Sequence, residues 1–215
     1  MTEFVDVAAK PAVRGFLHTP AAINGDSLAL THGAGANCKS NLLTLLSNAF
    51  AEAGFTVLRY DLPFRQARSF GPPSPATAEG DREGIRRALE ILKSKTSGRI
   101  FAGGHSYGGR QTTMLIAERP DLVSGLLLLS YPLHPPRKPE QLRTAHFSKL
   151  TQPALFVHGA RDPFGTLQEM RSGLDLIPAR HDLLEVEGAG HELLPRKATS
   201  ELPARIVAAF EKFMK

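Results

Sequence analysis

Ser106 stands in Gly104-His105-Ser106-Tyr107-Gly108, a GxSxG pentapeptide with the β-rich run RIFAG at 99–103 before it and a helical pattern at 106–118 after it. A strand that turns sharply into a helix here holds the serine in a strained conformation with its hydroxyl exposed. A side chain at 104 or 108 would strike neighbouring backbone. The same turn aims the helix N-terminus, and with it the Tyr107 amide, at charge developing beside the serine. A hydroxyl is a poor nucleophile until a base takes its proton, so this chemistry requires a histidine and a group to orient it.

Eight histidines are available, and position separates them. His191 lies in EGAGHEL, a glycine-rich loop just past an apolar strand pattern at 182–186, where a ring can be presented to other loops. His158 ends an apolar strand and reads as a buried structural residue, whereas His18 and His181 read as surface or strand positions. His134 and His146 fall in a proline-rich connection, within reach of a substrate but without rigid support. For the acid, Asp162 in LFVHGARDP follows a strand at its carboxyl edge, where ligand chemistry gathers in open parallel sheets. Asp121, Asp175 and Asp182 read as capping or solvated carboxylates.

A second stretch, HGAGANCKS at 32–40, points to different chemistry. It fits the phosphate-loop pattern GxxxxGK[ST] at Gly33, Lys39 and Ser40, but Cys38 stands where the second glycine is needed. A side chain there obstructs the backbone cradle for phosphate. Read as GxGxxG, GAGANC lacks the third glycine. Nucleotide binding, with Asp61 as a magnesium ligand, is therefore the weaker reading of this loop.

These loops need a scaffold, and the hydrophobic pattern describes one. Apolar runs near 13–18, 27–32, 55–60, 99–103, 125–130, 154–158 and 182–186 read as strands. They alternate with helical periodicity at 40–53, 80–94, 106–118, 166–177 and 199–214, which predicts β-α-β units and a mostly parallel sheet of about seven strands with helices on both faces. Two proline-rich connections, 62–80 and 131–150, break the rhythm, and a site beneath them is expected to be open, with minimal lid. No internal repeat interrupts the pattern, so 1–215 is expected to form a single domain.

Ser106, Asp162 and His191 follow the order nucleophile, acid, histidine that marks the α/β-hydrolase family, and the chain resembles that family over essentially its whole length. It is similar to the compact, dienelactone-hydrolase-like members, whose functional loops match LTHGAGAN, GGHSYGG, HGARDP and GAGHEL, although it carries Ser106 where dienelactone hydrolases proper have cysteine. The resemblance implies a metal-independent serine hydrolase, free of cofactors, that cleaves an ester, thioester or lactone of a small or medium-sized acyl substrate. It implies catalytic roles for Ser106, Asp162 and His191, with an oxyanion hole formed by the Tyr107 amide and a second amide, assigned to Ala34. Gly35, Tyr131 and Leu133 are the candidate substrate-binding residues. His32 and His105 repeat family-like positions and read as structural supports, as do Asp61 and Arg65. A non-catalytic binding or scaffold protein on the same fold is the alternative.

Composition narrows the remaining classes. With 42% apolar and 22% charged residues, 215 residues suffice for a substantial core. The net charge of +5 is scattered, with its densest basic cluster, Arg82, Arg86 and Arg87, on a helix of mixed charge, so nucleic-acid binding is not expected. Cys38 is the lone cysteine, which excludes an intrachain disulfide and a cysteine metal cluster. The opening MTEFVDVAAK lacks the form of a secretory signal, and the longest apolar run, LLLL at 126–129, is too short for a membrane span. A cytoplasmic protein without membrane insertion is the expectation.

Overall fold

The computed structural model describes residues 1–194 and 201–215. The LLLL run shows how the sheet organises the protein. In the strand Gly125–Leu129, Leu126 and Leu128 enter one apolar cluster while Leu127 and Leu129 enter another, because alternate side chains leave opposite faces. A continuous apolar run is what a parallel strand covered on both sides demands.

Eight strands form one sheet: β1 (Thr2–Asp6), β2 (Val13–His18), β3 (Ser27–Thr31), β4 (Thr56–Tyr60), β5 (Ile100–His105), β6 (Gly125–Leu129), β7 (Ala154–Gly159) and β8 (His181–Val186). Their order is β1-β2-β4-β3-β5-β6-β7-β8, antiparallel for β1-β2 and β2-β4 and parallel from β4 onward. The expected seven strands are present. The eighth, β1, escapes sequence reading because TEFVD is short and carries Glu3 and Asp6, with only partial burial at this antiparallel edge.

Helices α1 (Asn41–Glu52) and α6 (Leu202–Phe213) cover one face. Phe50, Phe55, Phe101 and Phe210 interlock there, with Phe101 and Phe210 edge-on at 5.0 Å. Helices α2 (Pro63–Ala67), α3 (Ala78–Lys95), α4 (Tyr107–Glu118) and α5 (Leu167–Leu174) lie on the other face, packing Ile85, Leu89, Leu115 and Met170 against the sheet. The last helix was expected over 199–214; of that span, 199 and 200 lie outside the described residues. Among the described residues no helix is long and apolar enough to cross a membrane.

The two proline-rich connections, beneath which an open site was expected, supply none of the cleft-lining residues and pack against the protein itself. Residues 62–80 contain α2, whose Pro63 occupies the first turn, where its missing N–H costs nothing. Residues 131–150 fold down onto the core and bury Tyr131, Leu133, Phe147 and Leu150. His18, read as a surface or strand position, ends β2, where it is buried and accepts a hydrogen bond at its Nε2 from Arg59 Nε at 2.9 Å.

Burial has a consequence for pH dependence. It holds His18 and His146 down to about 4, and holds His32, His105 and His158 below the ordinary histidine value. The unfolded chain takes up these protons near pH 6.5 while the folded rings stay neutral, so falling pH favours unfolding. The urea midpoint is therefore expected to be highest above about pH 6.5 and to drop as pH falls towards 4. Urea titrations at pH 7.5, 6 and 5 check this; an unchanged midpoint across the series would contradict it.

Candidate active site

The strand-to-helix turn places Ser106 between the end of β5 and the start of α4 with φ 52° and ψ −116°, a left-handed conformation that side-chain-bearing residues avoid. Its amide donates to Leu129 O at 2.8 Å, which ties the turn to β6. The two motif glycines permit the turn because the end of β3 packs directly against it. A Cβ at position 104 would lie 2.7 Å from Thr31 O, and one at 108 would lie 2.5 Å from His32 O.

Three distant segments meet at the serine. His191 Nε2 lies 2.8 Å from Ser106 Oγ, and His191 Nδ1 lies 2.8 and 3.0 Å from the two oxygens of Asp162. With Nδ1–H donating to the carboxylate, the Nε2 lone pair accepts the serine hydroxyl. Asp162 is almost fully buried, which opposes its charged form. The hydrogen bond and charge of His191, with the Phe164 amide at 2.9 Å, nevertheless hold its carboxyl below the usual carboxylate range. A pair poised in this way can draw a proton from the hydroxyl and stabilise the imidazolium that results.

Neighbouring histidines fix this arrangement rather than extend it. His105 Nε2–H donates to the backbone oxygen of His191 at 2.8 Å, and the Phe164 ring stacks on the His191 ring at 4.2 Å. His32 donates from Nδ1 to Gly33 O at 2.9 Å and accepts from the Leu62 amide at 3.1 Å. The acceptor role of His32 needs a neutral ring, in keeping with the lowering that burial imposes on it, and burial lowers His105 in the same direction. Their reading as structural supports agrees with these contacts.

The loop between β3 and α1 forms the opposite wall. Gly33 packs so close to the turn that a Cβ there would come within 3.3 Å of Ser106 Cβ. Asp61 accepts from the Cys38 amide at 2.6 Å, and Arg65 donates to Ala34 O and Ala36 O, so both brace the loop. Cys38 itself is buried, and its thiol is pushed up to about 12 by desolvation and by Asp61. Ser40 caps α1 by accepting from the Leu43 amide, so the lysine and serine of the apparent phosphate loop open a helix. Tyr107 opens α4, where the first amides lack an intrahelical acceptor, and its hydroxyl donates to the buried Asp81 at 2.8 Å.

A cleft of about 470 Å³ lies over these groups, and Gly33, Ala34, Gly35, Ser106 and His191 are all in its lining. Its apolar walls come from Leu42, Phe164 and Leu194. Tyr131 and Leu133, expected to bind substrate, are not in that lining. Tyr131 is buried, donating to Arg143 O at 2.7 Å and packing on Phe147 at 5.2 Å, and Leu133 is fully buried. The physical reason is that the chain after β6 turns into the core, with Leu133 packed beside Gly173 of α5 and Tyr131 against Phe147 and Phe156. His134 and His146 likewise make protein contacts, to Pro135 O and Thr113 Oγ1, and neither lines the cleft. Sequence reasoning missed Phe164, whose signal was an aromatic residue two places after Asp162 in a strand-end loop, and Asp81, one of several acidic residues in a helix's first turn. Among the described residues no cluster of histidine, cysteine and acidic side chains could hold a metal ion.

The family model for an alpha/beta hydrolase domain matches residues 24–214. The chain belongs to the alpha/beta hydrolase family. Solved structures of similar fold include a dienelactone hydrolase from Anabaena variabilis, 18% identical, with 100% of this chain and 99% of that one covered at a TM-score of 0.76. An alpha-beta serine hydrolase homologue from Coxiella burnetii is 18% identical over 97% of this chain and 96% of its own, with a TM-score of 0.74. TT1662 from Thermus thermophilus is 25% identical over 100% and 99%, with a TM-score of 0.72. Within this hydrolase fold, the GxSxG glycines are steric requirements of packing against β3. Gly108→Ala is expected to lower stability by about 1–3 kcal/mol through overpacking. Urea unfolding checks this, and a wild-type midpoint would contradict it.

Proposed function

We propose that this hydrolase cleaves an ester, thioester or lactone of a small or medium-sized substrate through an acyl-enzyme on Ser106. The observation that carries the proposal is the continuous hydrogen-bonded chain Ser106 Oγ, His191 Nε2, His191 Nδ1, Asp162, with each link between 2.8 and 3.0 Å. Ser106 Oγ attacks the acyl carbonyl as His191 takes its proton, and His191 returns that proton to the leaving group as the tetrahedral intermediate collapses. Water then attacks the acyl-enzyme by the same route, releasing the acid and restoring Ser106. Asp162 keeps the imidazole in the tautomer that leaves Nε2 free to accept, and stabilises the imidazolium. The amides of Tyr107 and Ala34 supply the oxyanion donors. The apolar walls of Leu42, Phe164 and Leu194 suit an acyl group of a few carbons.

A panel of p-nitrophenyl esters of graded chain length, run beside acyl-thioesters, tests this. Wild type is expected to turn over short to medium acyl groups, Ser106→Ala to lose the activity, and Asp162→Asn to lose about 10⁴-fold in kcat by fixing the wrong tautomer. Equal turnover by wild type and Ser106→Ala would overturn the mechanism. Thermal unfolding close to wild type shows that each variant is folded.

A further inference from the structure

The guanidinium of Arg65 is buried at 6% exposure beneath the β3–α1 loop, yet no carboxylate lies within ion-pair distance of it among the described residues. Its partners are backbone carbonyls. Nη2 donates to Ala34 O at 2.6 Å and to Gly71 O at 3.0 Å, Nε donates to Ala36 O at 2.8 Å, and Nη1 reaches Arg68 O at 3.4 Å. The Phe64 ring lies 4.9 Å below the guanidinium carbon. A buried cation is costly unless its donors are satisfied, and here two of the four acceptors belong to the loop that faces Ser106.

Peptide planarity converts this clamp into an orientation. In a trans peptide the carbonyl of one residue and the N–H of the next point in opposite directions. Arg65 does not line the cleft, so drawing Ala34 O down to it turns the Gly35 N–H the other way, towards the cleft that Gly35 does line. The preceding peptide is held in the same sense, because Gly33 O accepts from His32 Nδ1 at 2.9 Å and from the Ala36 amide at 3.1 Å, which turns the Ala34 N–H outward. Among the described residues no acceptor takes either amide.

We propose that Arg65 is a positioning residue of the oxyanion hole: by clamping the Ala34 carbonyl it presents the Gly35 amide, beside the Ala34 amide that His32 and the Ala36 amide orient through Gly33 O, to the oxygen of a tetrahedral intermediate. The proposal rests on the acyl-enzyme mechanism given above. Its chemistry goes beyond geometry, since a cation hydrogen-bonded to the carbonyl end of a peptide polarises that peptide and strengthens donation from its N–H. The gain falls where negative charge develops, so the transition state benefits and the bound ester does not.

The test compares Arg65→Lys and Arg65→Met with wild type on a neutral p-nitrophenyl ester. Two inhibitors are added: a boronic acid, which forms an anionic tetrahedral adduct on serine, and the neutral primary amide of the same acyl group. For Arg65→Met, kcat and boronate affinity are expected to fall together by at least about tenfold, while KM and the amide Ki move less than about twofold. Arg65→Lys keeps the charge, with its donors on a single nitrogen, and should recover part of both losses. Should Arg65→Met not fold, the Lys variant carries the comparison, with loss still concentrated in kcat and the boronate. Equal weakening of boronate and amide, as a merely structural role would give, overturns the proposal, as do unchanged constants in an active enzyme. A wild type that neither hydrolyses the ester nor binds the boronate refutes the acyl-enzyme mechanism itself.

Discussion

The contact on which the rest depends is the packing of the Ser106 turn against the end of β3. Gly104 and Gly108 leave no room for a methyl group against Thr31 O and His32 O. That closeness brings the strained serine beside the β3–α1 loop, which lines the cleft with it. The strain is held by the parallel pairing of β5 with β3 and β6 and by the Ser106 amide on Leu129 O. A strained conformation persists only where its surroundings over-determine it. Here the surroundings are the central strands of the sheet, buried on both faces, the part of the fold that opens last.

Around that contact the protein uses buried histidines as fixed, neutral hydrogen-bonding groups. His32 bridges Gly33 O and the Leu62 amide, and His105 holds the backbone of His191. His158 donates to Gly165 O behind Asp162. Each lies at or near the carboxyl end of a strand and ties it to a loop, at the edge where parallel strands leave loops without ladder partners. Desolvation favours the neutral rings, and neutrality lets His32 donate at one nitrogen and accept at the other.

Much of this was legible in the sequence where local chemistry decides structure. The alternation of apolar runs and helical periodicity gave the parallel sheet, and GxSxG in its strand and helix context located Ser106. Loops at strand ends supplied Asp162 and His191, which the structure brings into one hydrogen-bonded chain. What was not legible depended on tertiary packing. Tyr131 and Leu133 follow a strand end just as Asp162 does, but apolar side chains there can turn either to a cleft or to the core, and here the core took them. The edge strand β1 is too short and polar for its pattern to stand out. Asp81 resembles any surface charge until the fold buries it, whereas Arg65 could be read beforehand as a brace but not as a buried cation held by backbone carbonyls.

The measurement that bears most directly on the central claim is intact-mass analysis with peptide mapping after treatment with a fluorophosphonate. Such a reagent phosphonylates a serine only where a base activates the hydroxyl and donors receive the phosphonyl oxygen. The account predicts one adduct per chain, on the peptide containing Ser106, formed in wild type and absent in His191→Ala. An unmodified wild-type chain, or an adduct mapped to another residue, would contradict it.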